Sequence, residues 1–278
     1  MSQAAPSLKS ILASSQISHA ALTNQVSSTL IDAYFHDYHV CYPFVHEATF
    51  RAQYHEIVPR PPQRSWDMLF HAILALGAWC SNNDQTGLED HLYRRALTLG
   101  QHESVFEAAN LTSIQALVLL SNLSQKRNNP NTGWNLLGLG VRTALSLALH
   151  RELPHWNISP IEREVRRRVW WGLYIFDSGA STTFGRAIML PDQDSMTVHA
   201  VLNVDDEVSY SHCLRLSQDP KQRSYSLLLP EQPHSHQSRR TLHCTLRSKY
   251  KANSTYRQTT YQIDYWLSPG YPQRLPLP

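Results

Sequence analysis

Cysteine is scarce in this 278-residue sequence. Cys41, Cys80, Cys213 and Cys244 are the only four, and no two have the short spacing of a zinc knuckle. That excludes a local cysteine-based metal site and fits reduced thiols in an intracellular protein. Glycine is also sparse, at 10 residues. Gly77 and Gly100 have no phosphate-loop context, and Gly138-Leu-Gly140 continues as Val-Arg-Thr, so a dinucleotide fingerprint lacks its third glycine and its preceding strand. There is no Gly-x-Ser-x-Gly elbow and, despite 15 histidines, no His-Glu-x-x-His. No apolar run reaches the roughly 20 residues that cross a bilayer, and nothing after MSQAAPSLKS resembles a secretory leader. Runs of β-branched residues are missing from the first 185 residues, which disfavours a parallel α/β sheet.

Charge is modest as well: charged residues make up 17%, and the net charge is +3. So small an excess says little about nucleic acid. It is unevenly placed. Residues 1–120 carry six basic and ten acidic side chains (net −4), residues 121–200 nine and six (+3), and residues 201–278 ten and six (+4).

What remains is helix after helix, which predicts an all-α fold. Residues 1–25 are polar, Ser/Ala-rich and weakly ordered at most. Val26, Leu30, Ala33, Tyr34 and Tyr38 share one face of a helix over 26–39, which Pro43 ends. His36 and His39 fit the flank of that helix. A short helix at 46–54 follows, then a stiff linker at Pro59, Pro61 and Pro62. WDMLFHAILALGAWC (66–80) is too long and too uniformly apolar for a strand. Further helices are expected over 89–100, over 110–125 with Asn110 as cap, and over 132–153. His150 and Arg151 then stand where cations suit the terminal carbonyls of that last helix.

The densest feature is SPIEREVRRRVWWGLYIFD (159–177). Ser159 can cap, Pro160 suits the first helical position, and Glu162 completes a capping-box pattern. Ile161, Val165, Val169, Leu173 and Phe176 form an apolar stripe with Trp170 and Trp171 beside it. Glu162 lies four before Arg166 and Glu164 four before Arg168, each pair worth about 0.2–0.5 kcal/mol. Arg163 and Arg167 have no evident local partner. A phosphate-binding strip would keep its arginines on one unopposed face, so the spacing favours a structural role. Asp177, in an apolar stretch, needs a partner. Arg186, freed by Gly185, is the expected one, in a salt bridge locking helix to loop.

These residues resemble the fungal-specific transcription factor domain, the middle homology region of regulators that normally begin with a zinc–cysteine binuclear cluster. The matching pieces are TGWNLLGLGVRTALSLALHRE (132–152), Trp156, SPIEREVRRRVWWGLYIFD (159–177) and Gly185-Arg186. The resulting signature comprises His150, Arg151, Glu164, Arg166, Arg167, Arg168, Trp170, Trp171, Asp177, Gly185 and Arg186. LIDAYFHDYHVCYPFVHEATF (30–50) is similar to the family's opening helix and residues 66–80 to its first long buried helix; IDYWLSPGYPQRLP is a fainter echo of its later part. Three departures stand out. Glu152 replaces the usual Asp, Ala187 replaces the usual Pro after Gly-Arg, and the closely spaced cysteines of the cluster are missing.

The resemblance implies a regulatory domain over 26–210; the turn formers, polar groups and prolines beyond it predict an irregular extension over 211–278 with one helix at 240–267. The resemblance also implies transcription control in the nucleus and no enzyme activity, catalytic residue, metal or cofactor. Expected partners are other transcription-regulatory proteins or an attached DNA-binding domain, with a small effector as a further candidate. Direct DNA contact and membrane association are not expected; DNA binding and zinc would attach to this chain through the family alone. The alternative is an orphan helical ligand- or protein-binding domain, with a pocket lined by Trp134, Trp170, Trp171 and Phe184. Asp205, Asp206 and Glu207, with Asp192 and Asp194 opposite, and the close pair His234 and His236 are weaker metal candidates.

Overall fold

A computed structural model describes residues 24–81, 87–100, 109–191 and 195–202. The expectations for the stretch before Asn24, for Asp192, Asp194, Asp205, Asp206, Glu207, His234, His236, Cys213 and Cys244, and for a helix at 240–267 lie outside the described residues. Within them the protein is all-α, with no strand.

Helix α1 (Asn24–Ala33) runs directly into a π-helical turn (Tyr34–Tyr38). Together they cover the predicted 26–39 helix. Leu30, Tyr34 and Tyr38 recur every four residues, are buried, and the two tyrosine rings stack at 5.5 Å. Helix α2 (Glu47–Tyr54) starts where the His46 side chain accepts the Thr49 N–H. Helix α3 (Gln63–Cys80) buries Trp66, Leu69, Ile73 and Leu76 along one face and Met68, Ala72 and Ala75 beside it. Helix α4 (Leu88–Gly100) lies along α3 and buries Leu88, Leu92, Tyr93 and Ala96.

Helix α5 (Leu111–Lys126) occupies the centre. Asn110 caps it, accepting from the Ser113 N–H at 2.9 Å, and every residue from Ser113 to Ser124 is buried. A helix buried on all sides must answer its polar side chains with protein groups. Each is answered by a different element. Ser113 Oγ donates to Ser65 Oγ on α3 (2.9 Å), and Gln115 Nε2 to the Phe44 carbonyl (2.7 Å). Ser121 Oγ donates to the Gly133 carbonyl (2.8 Å), and Asn122 Oδ1 accepts from the Tyr38 hydroxyl (2.9 Å). Ser124 and Tyr93 share a hydroxyl–hydroxyl bond (2.8 Å). Gly133 lies on helix α6 (Pro130–Ser146), which, with helix α7 (Pro160–Phe184), covers the remaining side of α5. At the far end Arg127 pairs with Glu89 and Asp90 and stacks on Tyr93, tying α5 to α4.

Two half-buried groups at the ends of these helices carry shifted pKa values. Burial pushes the Cys80 thiol up to about 12, leaving it protonated and unreactive. Burial lowers Lys126, over the Trp79 ring, to about 8.

α1 and α3 cross at Gly77, where a β-carbon would sit inside the Leu30 carbonyl. Gly179, on α7, has open space around the same position. Gly77→Ala is therefore expected to destabilise the protein by about 1–3 kcal/mol. Gly179→Ala should stabilise it by up to ~1 kcal/mol, because alanine is the better helix former. Urea unfolding of both variants checks the contrast.

Candidate functional site

The site forms where α6 ends, α7 begins, and the segment 196–202 crosses both. α6 stops at Ser146, seven residues short of the predicted end at 153. Ala148 takes a left-handed conformation (φ 53°), its N–H bonding to the Leu145 carbonyl (3.0 Å) and the Leu149 N–H to the Ala144 carbonyl (2.9 Å). This is a Schellman closure with alanine in the position glycine usually takes. Buried Leu149 holds it against the core.

His150 and Arg151 therefore lie in the turn beyond α6, not at its terminal carbonyls. The cation at that helix end is Arg166, which donates through Nη2 to the Leu147 carbonyl (2.7 Å) and stacks over Trp156 at 4.7 Å. The His150 carbonyl receives the N–H groups of Thr197 (3.0 Å) and Val198 (3.2 Å), and its ring packs on Trp170. Burial, and then the neighbouring Arg151, hold its pKa below the ordinary histidine value. Its neutral Nε2 accepts from Arg151 Nε at 3.1 Å.

α7 begins as predicted: Ser159 Oγ accepts the Glu162 N–H at 3.1 Å, with Pro160 in the first turn. The charge pairing on it is only half local. Arg168 Nε meets Glu164 Oε1 at 3.1 Å, the expected pair. Arg166 does not form an ion pair with Glu162, because the Leu147 carbonyl and the Trp156 ring draw its guanidinium toward the end of α6. The two arginines for which the spacing shows no local partner, Arg163 and Arg167, converge on Glu152, and Arg167 Nη1 also lies 3.8 Å from Glu164 Oε2 on its own helix. Arg167 binds it with both Nε (3.1 Å) and Nη2 (2.8 Å), and Arg163 Nη1 reaches the same carboxylate at 3.3 Å. Arg163 also donates to the carbonyls of Leu153 (2.9 Å) and Trp156 (3.1 Å).

Glu152 and Glu164 together strap down the crossing segment. Glu152 accepts the His199 N–H (3.3 Å), its own N–H bonds to Thr197 Oγ1 (3.1 Å), and Glu164 Oε1 accepts the Leu202 N–H (3.0 Å). Trp171 Nε1 donates to the His199 carbonyl at 2.9 Å. Burial acts against ionised Glu152, but the Arg167 hydrogen bonds and charge outweigh it, and its pKa lies below the ordinary glutamate value. Glu164 goes the other way: burial dominates and raises it, although Arg168 opposes the shift.

Asp177 and Arg186 do not pair. Asp177 is fully buried, and its Oδ2 accepts the backbone N–H groups of Met189 (2.8 Å) and Leu190 (3.3 Å). Arg186 turns to Asn131 Oδ1 (2.5 Å) and lies between the Trp134 and Phe184 rings, at 5.1 and 5.2 Å. The helix-to-loop lock is thus real but is made by backbone amides, after Gly185 reverses the chain at φ 61°. Burial raises the Asp177 pKa, and the two amides offset this in part. Nor do Trp134, Trp170, Trp171 and Phe184 line one pocket. Trp134 and Phe184 share Arg186, Trp170 is fully buried against His150, and Trp171 engages residue 199. Adjacent positions on a helix face different ways, which separates the two tryptophans.

Among the described residues, a small cavity lies in the arginine cluster. Arg151, Glu152, Arg163, Arg166 and Arg167 line it together with Leu149, Leu153, Ile158 and Val198. It holds roughly one water molecule and opens outward. Among the described residues no group of three or more His, Cys, Asp or Glu could hold a metal ion.

The sequence of this chain matches a known family. Residues 31–212 fit the fungal specific transcription factor domain, and the chain belongs to that family. It is 37% identical to the lactose regulatory protein LAC9 of Kluyveromyces lactis over 171 residues, covering 62% of this chain and 19% of that protein. Similarity extends to transcription factor FBD3 of Gibberella moniliformis (29% over 177 residues, 60% and 24% of the two chains). It extends also to the Zn(2)-C6 fungal-type transcription factor pigI of Monascus ruber (27% over 202 residues, 69% and 25%). The chain spans about a fifth to a quarter of the length of these relatives. No solved structure matches it.

Glu152→Ala removes the carboxylate that two largely buried guanidiniums share, leaving Arg167 only its longer contact with Glu164, and should cost about 3 kcal/mol in urea unfolding. Because the folded pKa of Glu152 is depressed, its stabilisation is full above the ordinary glutamate value and is lost as pH falls through the lowered one. Glu152→Gln should therefore flatten the acid limb of the stability–pH curve. Asp177→Asn keeps an acceptor for the two amides and removes a charge that burial penalises. It should lie within about 1 kcal/mol of the parent, whereas Asp177→Ala should lose about 1–3 kcal/mol.

Proposed function

We propose that the chain is the regulatory domain of a fungal transcription regulator. It acts in the nucleus through other regulatory proteins or an attached DNA-binding module, not through arginine contacts of its own with DNA. The observation that carries this reading is the fate of the arginines on α7. Arg163 and Arg167 turn inward to Glu152, with Arg167 also 3.8 Å from Glu164, Arg168 pairs with Glu164, and Arg166 is held against the end of α6, so none of the four is set out on an open face. A surface built to grip a duplex would present its cations to the phosphates instead. Family membership and relatives named as transcription factors support regulation over catalysis. No helix among the described residues is long and apolar enough to cross a membrane.

Fused to an unrelated DNA-binding module in a fungal host, the chain should change expression from a reporter bearing that module's site several-fold. Glu152→Ala should abolish the change. In a gel-shift titration the chain alone should show no sequence-specific, steeply salt-dependent binding. A reporter indifferent to the fused chain, or tight specific binding by the chain alone, would overturn the reading.

A further inference from the structure

We propose that the cavity bounded by Arg151, Arg163, Arg166 and Arg167 is a binding site for a small oxyanion, a phosphate or carboxylate group. Four guanidiniums line it against a single carboxylate, that of Glu152. Glu152 is already committed: both its oxygens are bonded to arginines, and one also takes the His199 N–H. Glu164 does not line the cavity: its Oε1 is bonded to Arg168 and Leu202, and its Oε2 lies 3.8 Å from Arg167 Nη1, beyond hydrogen-bond distance.

The donors are correspondingly in surplus. A guanidinium carries five N–H groups. Arg166 places one on the Leu147 carbonyl, and Arg151 gives its Nε to the neutral His150 ring. Burial lowers the pKa of Arg166, and Glu162 offsets this only in part, the sign of a desolvated cation short of negative charge. Arginine forks match phosphate and carboxylate in plane and spacing. The recess is the right size for one oxygen of such a group, with the rest in the open mouth. Leu149, Leu153, Ile158 and Val198 complete the wall, lowering the local dielectric and strengthening the attraction.

The same depth argues against a nucleic-acid backbone. The side chains of Arg163 and Arg167 are 24% and 13% exposed, below the rim, where a rigid run of phosphates does not enter. The site goes beyond the regulatory reading: a binding measurement on the purified chain succeeds or fails whatever the reporter shows.

The test is a titration of the full chain with sodium phosphate and, separately, sodium acetate. It is read by thermal unfolding against sodium chloride at matched ionic strength, with phosphorus-31 line widths as a direct probe. One or both anions should raise the Tm beyond chloride, and which one does so distinguishes the two sources. Arg151→Gln removes a donor whose one internal partner is His150, so the fold should persist while anion affinity falls roughly tenfold. Arg166→Lys keeps the charge at the end of α6, loses the fork, and should weaken binding similarly. Protection no greater than chloride, or equal affinity in both folded variants, would overturn the site. So would a duplex oligonucleotide that displaces phosphate with the same sensitivity to Arg151→Gln.

Discussion

The rest of the structure depends on one constraint: α5 is buried on every side and still carries polar side chains. Each buried donor or acceptor left without a partner would cost on the order of 1–3 kcal/mol. Ser113, Gln115, Ser121, Asn122 and Ser124 avoid that cost only if α3, the Phe44 loop, α6, the π-helical turn and α4 take up fixed positions. Apolar packing alone would tolerate sliding; hydrogen bonds of fixed length do not. The bundle therefore has a defined geometry at its centre, and α7 and the arginine cluster inherit it through α6.

At the periphery Glu152 plays a comparable part with charge. It joins three stretches of chain that share no secondary structure: the turn after α6, the first turns of α7, and the segment around His199. Its neighbours divide the work. Arg166 closes α6, Glu164 holds Leu202, and His150 offers its carbonyl to Thr197 and Val198. The turn after α6, the start of α7 and the segment around His199 are thereby held to one another at several points.

Local features were legible in the sequence. The Asn110 and Ser159 caps, the apolar run of α3, the stripe on α7 and the Glu164–Arg168 pair all lie within a few residues of the signal that reveals them. What escaped is nonlocal. Arg163 and Arg167 stand 11 and 15 residues from Glu152, across a loop whose path no periodicity encodes. Glu152 showed only as a departure from the family's aspartate, and His199 carried no signal at all. Asp177 was rightly expected to need partners, but backbone amides are invisible to a search for opposite charges. The early end of α6 was hidden because Ala148 adopts a conformation that alanine rarely takes and no glycine marks.

The staples on α5 also bear on how the chain is made. Tyr38 and Asn122 are 84 residues apart, and Phe44 and Gln115 are 71 apart. A ribosome that has released α1 through α4 has produced helices whose apolar faces wait for a partner not yet translated. Domains form as units while the chain emerges from its N-terminus. Until α5 clears the exit tunnel, α1, α3 and α4 can pack on one another, but Tyr38, Phe44, Ser65 and Tyr93 lack the partners that fix their register. The full set of these bonds therefore closes only after Ser124 has been made.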